Sequence, residues 1–141
     1  MIAKIVVDTS VVVSAFIGPT GPARALLSQC FEDKYQPLMG NALFCEYESV
    51  VTREDIIAQC PLSQEEIFTL LSAFMSISQW VVIHYLWRPN LQDEADNHLI
   101  ELAVAGNARL IATNNVRDFK NAQLLFPQLS ILTPEQILKD K

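Results

Sequence analysis

The chain has 141 residues and a mass of 15.8 kDa, enough for one domain, 1–141, with a real hydrophobic core. Half of its residues are hydrophobic and mean hydropathy is +0.22, while the formal net charge is −6 with a pI near 4.8. That balance disfavours a general nucleic-acid coat, because affinity for phosphate rests on Lys and Arg. No apolar run approaches the ~20 residues that span a bilayer, and "MIAKIVVD" meets a charge too soon for a signal peptide. No membrane association and a cytoplasmic location are therefore expected. Cys30, Cys45 and Cys60 are odd in number and form no CxxC, which reads as core-packed thiols in a reducing compartment.

In chain order, residues 3–8 alternate too little for a half-exposed strand and predict a fully buried one, as parallel sheets contain. A Gly/Pro turn in "GPTGPARALLSQCF" precedes a helix from about Pro22. A short strand follows at Tyr35–Met39, and Asn41 is placed to cap a helix running to about Val51. Ser63 and Glu66 form a capping box before "IFTLLSAFMSI". "WVVIHY" (80–85) reads as a strand, Asp93 to about Ala105 as a helix, "RLIAT" (109–113) as a buried strand and "QLSIL" (128–132) as a last one. Thr133 and Gln136 make a second capping box for a terminal helix. Strands and helices alternate, so the fold class is α/β with a mostly parallel sheet.

In such sheets ligands bind beyond the carboxyl ends of the strands. Asp8, the one charge in "KIVVDTSVVVSAF" after its opening lysine, stands where the first strand ends; Asp-Thr-Ser can equally cap the segment that follows. Neither GxGxxG nor GxxxxGK[ST] occurs, so the strand does not announce those nucleotide folds. In "DEADNHLIELAVAG", residues Ala95, Leu99, Ile100, Leu102 and Ala103 form one apolar face. Glu94, His98 and Glu101 point away from it, and His98 is expected in solvent without a role. Asp96 falls inside the apolar face, where a carboxylate is costly unless paired or bound to metal, although the first turn of a helix favours anions. Asp93 lies at the edge of that face and can serve as its cap. "LIATNNVRDFKN" repeats the opening theme: a buried strand ends in Thr113, and Asn114, Asn115 and Asp118 follow. Turn chemistry explains the Asn pair, whereas Asp118 would emerge at the same sheet edge as Asp8. In "NALFCEYESVV" the apolar face is Leu43, Phe44, Tyr47, Val50 and Val51. Glu46 and Glu48 border it on opposite sides, and helical geometry does not choose between them.

Together "VVDTSV", "CEYESVV", "DEADNHLIELA" and "IATNNVRDF" resemble the PIN-domain family, in its VapC-like toxin nuclease branch, in order and spacing from about Ile2 to Phe119. The resemblance implies a three-layer α/β/α fold in which acids hold Mg²⁺ or Mn²⁺ and cut RNA. It implies Asp8 as the first acid, Glu46 instead of Glu48 as the second, Asp96 as the third and Asp118 as the fourth, these four being metal ligands. Asp93 would be an accessory acid, with Thr9, Ser10 and Thr113 as hydroxyls that orient the carboxylates. Some relatives carry Asp where this chain has Asn115, so the fourth carboxylate is shifted to Asp118. A cognate antitoxin and a homodimer are the partners the family implies.

The chemistry is consistent with that set. Carboxylates gathered at ~4 Å repel by roughly 1 to 4 kcal/mol per pair, and a hard cation with oxygen ligands resolves the repulsion. Such a cation activates water and stabilises a leaving oxygen of a phosphodiester. His84 and His98 are the only histidines, and neither sits in a nucleophile motif. Setting the five acids aside takes the net charge from −6 to −1. Arg24, Arg53, Arg88, Arg117 and Lys120 are candidates for phosphate contact. The sequence thus points to a metal-dependent endoribonuclease; the alternative is a weak or inactive PIN-like module that acts by binding an antitoxin or subunit. A DxD phosphatase is disfavoured, since Ser10 stands where its second Asp belongs.

Overall fold

Ile5, Val6 and Val7 end the first strand, β1 (Ala3–Val7), and are all but inaccessible to water. Fully burying an aliphatic side chain of this size is worth roughly 1.5–3 kcal/mol, so β1 anchors the middle of the sheet. The computed structural model describes residues 2–18, 20–82, 97–119 and 126–139. After β1 come α1 (Thr9–Ile17), α2 (Pro22–Phe31), β2 (Tyr35–Met39), α3 (Asn41–Val51), α4 (Glu54–Gln59), α5 (Gln64–Ser76) and β3 (Gln79–Trp80). Then follow α6 (Asn97–Ala105), β4 (Leu110–Ala112), a 3-10 turn (Val116–Phe119), β5 (Ser130–Leu132) and α7 (Pro134–Lys139).

The five strands form one parallel sheet in the order β3-β2-β1-β4-β5. The described helices flank it in an α/β/α arrangement, as the alternating pattern predicts. β1 pairs with β2 on one side and with β4 on the other, Val7 standing beside Ala112. The chain therefore reverses its direction of winding between β1 and β4, and the carboxyl ends of these two strands flank the switch point at which open α/β sheets bind ligands. Packing of α6 against β1, β2 and β4 requires the tight turn at Gly106, where a Cβ would lie 2.5 Å from Leu38 Cδ1.

Several local expectations need correction. Gly40, not Asn41, holds the cap of α3; Asn41 is already helical. α1 forms despite Val11, Val12 and Val13, because burial of Val11, Val12, Ala15 and Phe16 outweighs the low helix propensity of β-branched residues. The third strand pairs only through Gln79 and Trp80, with Val81 N still donating to Met39 O at 2.8 Å; residues 83–85 and 93–96 of the predicted strand and helix lie outside the described residues. Cys30 is core-packed, and its burial pushes the thiol up to about 12. Cys45 is exposed and Cys60 only half-buried, so the thiols do not all belong to the core. Both capping boxes are present: Glu66 N donates to Ser63 Oγ at 3.2 Å and Gln136 N to Thr133 Oγ1 at 3.2 Å, each with its reciprocal bond. Among the described residues no single helix is long and apolar enough to cross a membrane.

Candidate active site at the carboxyl edge of the sheet

Asp8 follows β1 directly and occupies the cap position of α1, yet its carboxylate caps nothing. The backbone does that work, Val11 N and Val12 N donating to Asp8 O at 3.0 and 3.3 Å. The carboxylate turns instead toward β4. Its Oδ2 accepts from Thr113 Oγ1 at 2.7 Å and from Ser10 Oγ at 2.9 Å. Among the described residues nothing donates to Oδ1. With Asp8 only 5% exposed, a carboxylate in this place would be costly without these charge-assisted bonds.

The hydroxyls are themselves fixed. Thr113 has given its one proton to Asp8 and accepts Asn115 N–H at 3.1 Å, and its own backbone N–H donates to Leu132 O at 3.0 Å. Ser10 Oγ accepts Asn114 N–H at 3.2 Å. The Asn114 side-chain amide donates to Ser10 O at 3.1 Å and to Ser14 Oγ at 3.0 Å, which laces the loop after β4 onto α1. Asn115 is exposed at the rim.

The second acid comes from α3. Leu43, Tyr47 and Val51 form its buried stripe, and the Tyr47 hydroxyl donates to Val7 O, the last carbonyl of β1. That contact sets the rotation of the helix and turns Glu46 toward Thr9, whose Oγ1 donates to Oε1. His98 Nε2, from α6, meets Oε2 at 2.9 Å. Because a carboxylate only accepts, the ring hydrogen of this contact is on Nε2; Nδ1 is buried with no partner among the described residues. The His98 hydrogen bond holds the Glu46 carboxyl below its ordinary value, partial burial opposes this, and Thr9 reinforces it. Burial pushes the Tyr47 phenol well above its usual range, and the charges of Asp8 and Glu46 both add to the effect. Both carboxylates therefore act on one ring under the end of β1. Glu48, by contrast, is exposed. Of the two glutamates, Glu46 lies on the flank of α3 that meets Thr9 and α6.

α6 departs from its sequence reading. Glu101 and His98 do not point to solvent: Glu101 is 5% exposed and the His98 side chain 18%. The reason is that α6 packs against α3 as well as against the sheet, so a second flank is covered. Asp93 and Asp96 lie outside the described residues. Asp118 sits in the 3-10 turn pinned by fully buried Phe119. Its side chain is exposed and makes no hydrogen bond or ion pair among the described residues. Among those residues no group of three or more His, Cys, Asp and Glu side chains is gathered closely enough to hold a metal ion.

The donors at hand nevertheless suit a hard cation. Among the described residues Asp8 Oδ1 receives no donor and each Glu46 oxygen is engaged once, which leaves it a second lone pair. Of the cations considered for phosphate contact, Arg24 donates from Nε to Ala15 O at 2.8 Å and buries Nη2, and Arg53 pairs with Asp55 at 3.1 Å. Arg117 is exposed in the turn beside Asp118; Arg88 and Lys120 lie outside the described residues.

At the switch point of this doubly wound α/β domain stand two carboxylates, Asp8 and Glu46, each held by hydroxyl or imidazole donors. Residues 4–117 match the PIN domain family, and the chain belongs to it. PIN domains are generally nucleases and usually use divalent metals. A search of curated proteins finds no match to the chain.

Proposed function

We propose that the protein is a Mg²⁺- or Mn²⁺-dependent endoribonuclease and the toxin component of a toxin–antitoxin pair. The observation that carries the reading is Asp8: a nearly inaccessible carboxylate at the end of β1 with one oxygen clamped by two hydroxyls and the other without a donor among the described residues. In this reading Asp8 and Glu46 hold the cation together with Asp96 and Asp118, and Asp93 assists. When bound, the cation polarises a phosphodiester and lowers the pKa of an attacking water. Thr113 and Ser10 fix the Asp8 carboxylate, and Thr9 and His98 hold that of Glu46. Arg117, at the rim, supplies phosphate contact.

The toxin assignment is supported by the four motifs in register with the VapC-like branch, and it brings a cognate antitoxin, a second copy of the chain and a cytoplasmic setting with it. The acidic balance of the chain favours a small structured RNA, held with help from the second copy, over an extended strand. Cleavage of RNA by the purified protein should require Mg²⁺ or Mn²⁺ and disappear in both Asp8→Asn and Asp96→Asn. Cleavage that survives both substitutions contradicts the reading. A second reading, a PIN-like module that only binds partners, is favoured by Asn115 at the rim and by Asp118, whose side chain has no partner among the described residues. It requires that calorimetry at millimolar Mn²⁺ detect no binding while a stable partner complex forms.

A further inference from the structure

The resemblance assigns no role to one contact in the site. His98 lies on α6 two residues after Asp96, and its Nε2 meets Glu46 Oε2 at 2.9 Å. The imidazole is largely enclosed, and its other nitrogen is buried without a partner among the described residues. Its one polar anchor among those residues is thus the Glu46 carboxylate. Thr9, the neighbour of Asp8 in sequence, takes the other oxygen of that carboxylate. Glu46 is therefore gripped from two sides, by a residue adjoining the first acid and by a residue close to the third. A glutamate carries enough rotatable bonds to leave the rim if one grip is lost, and α3 itself offers no further donor to it among the described residues.

We infer that His98 is a positioning residue of this site: the Nε2–H bond keeps the Glu46 carboxylate turned toward the β1 rim beside Asp8 and ties the beginning of α6 to α3. The inference rests on the nuclease reading and deepens it. A ring that merely filled space between the two helices would serve equally well as phenylalanine. A ring that positions a carboxylate would not, whereas glutamine, whose amide nitrogen reaches the same oxygen, would replace it.

The test uses the full chain with Mn²⁺ alone as the probe in titration calorimetry, followed by RNA cleavage. His98→Phe should weaken Mn²⁺ affinity by about tenfold and lower kcat by a similar factor with little change in KM, as loss of an outer partner of a metal ligand does. His98→Gln should recover both to within about threefold. If His98→Phe does not fold, His98→Asn takes its place, since its shorter amide stops short of Glu46 and should lose affinity while His98→Gln keeps it. Mn²⁺ affinity unchanged in His98→Phe, or lost as fully in His98→Gln, overturns the inference. A parent protein that binds Mn²⁺ and cleaves RNA while His98→Phe matches it removes this inference and leaves the nuclease reading standing. A parent protein that does neither removes both.

Discussion

At the carboxyl edge of the sheet, β1 and β4 are followed directly by Asp8 and Thr113; at the amino edge Lys4 and Arg109 stand where the same two strands begin. The amino-edge pair are also backbone neighbours, Arg109 N donating to Lys4 O at 3.1 Å. There a cavity of about 540 Å³ opens between Lys4, Asn107, Arg109, Phe126 and Gln128, with no carboxylate in its wall among the described residues. Lys4 is half-buried and Arg109 exposed, whereas Asp8 and Thr113 are nearly dry. The amino edge, for all its open volume, is thus the less constrained place. Charges at the amino edge remain hydrated and demand little of their neighbours. The charge at the carboxyl edge has its hydration replaced by hydroxyls that are themselves anchored. An enclosed ionic group with fixed partners says more about chemistry than the size of a hollow.

The contrast breaks most visibly through Glu46. Glu46→Gln should abolish measurable Mn²⁺ binding and RNA cleavage, while Glu48→Gln, on the opposite flank of the same helix, and Arg109→Gln, at the opposite edge, leave both unchanged. Calorimetry and a cleavage assay on the three variants decide it, and loss of activity in Arg109→Gln would move the site to the amino edge. Thr113→Val comes next. It removes the donor to Asp8 and the acceptor for Asn115 N–H, so unfolding in urea should show a loss of about 1–3 kcal/mol, with cleavage down about tenfold or more. Ser63→Ala, remote from both edges, supplies the reference: losing the capping box of α5 should cost about 1 kcal/mol and leave Mn²⁺ affinity alone.

The smallest effect is in acid. The Glu46 carboxyl is held below its ordinary value in the folded chain, so the unfolded chain takes up a proton there first as pH falls. The stability this group contributes is full above the ordinary glutamate range and is lost as pH drops through the lowered value. Urea midpoints of the metal-free protein at neutral pH and near pH ~3.5 should lie closer together in Glu46→Gln than in the parent chain. An equal gap in both would mean that the His98 and Thr9 bonds do not favour the ionised form.

Much of the fold and part of the site are legible from residues alone, and where they are not the cause is physical. The end of β1 is readable because a buried parallel strand of valines tolerates an acid only where it reaches the sheet edge, and Thr113 follows from the same rule at β4. The family resemblance then distinguishes Glu46 from Glu48, which the helical wheel leaves equivalent; the structure separates them because only one flank of α3 meets Thr9 and His98. α1 is hidden in sequence by three consecutive β-branched residues. His98 and Glu101 escape the sequence reading for a related reason. A single apolar stripe describes a helix lying on one surface, and α6 touches both the sheet and α3. Nothing in the local pattern announces the second contact. The exposure of Cys45 follows from the same rotation of α3 that turns Tyr47 inward.

The sharpest trial of the site is a crystal of the intact chain soaked in Mn²⁺, with the ion located by its anomalous scattering. A peak within bonding range of Asp8 Oδ1 and a Glu46 oxygen, at the carboxyl ends of β1 and β4, is the expected result. A fully soaked crystal with that rim empty, or with manganese bound only elsewhere, would contradict it.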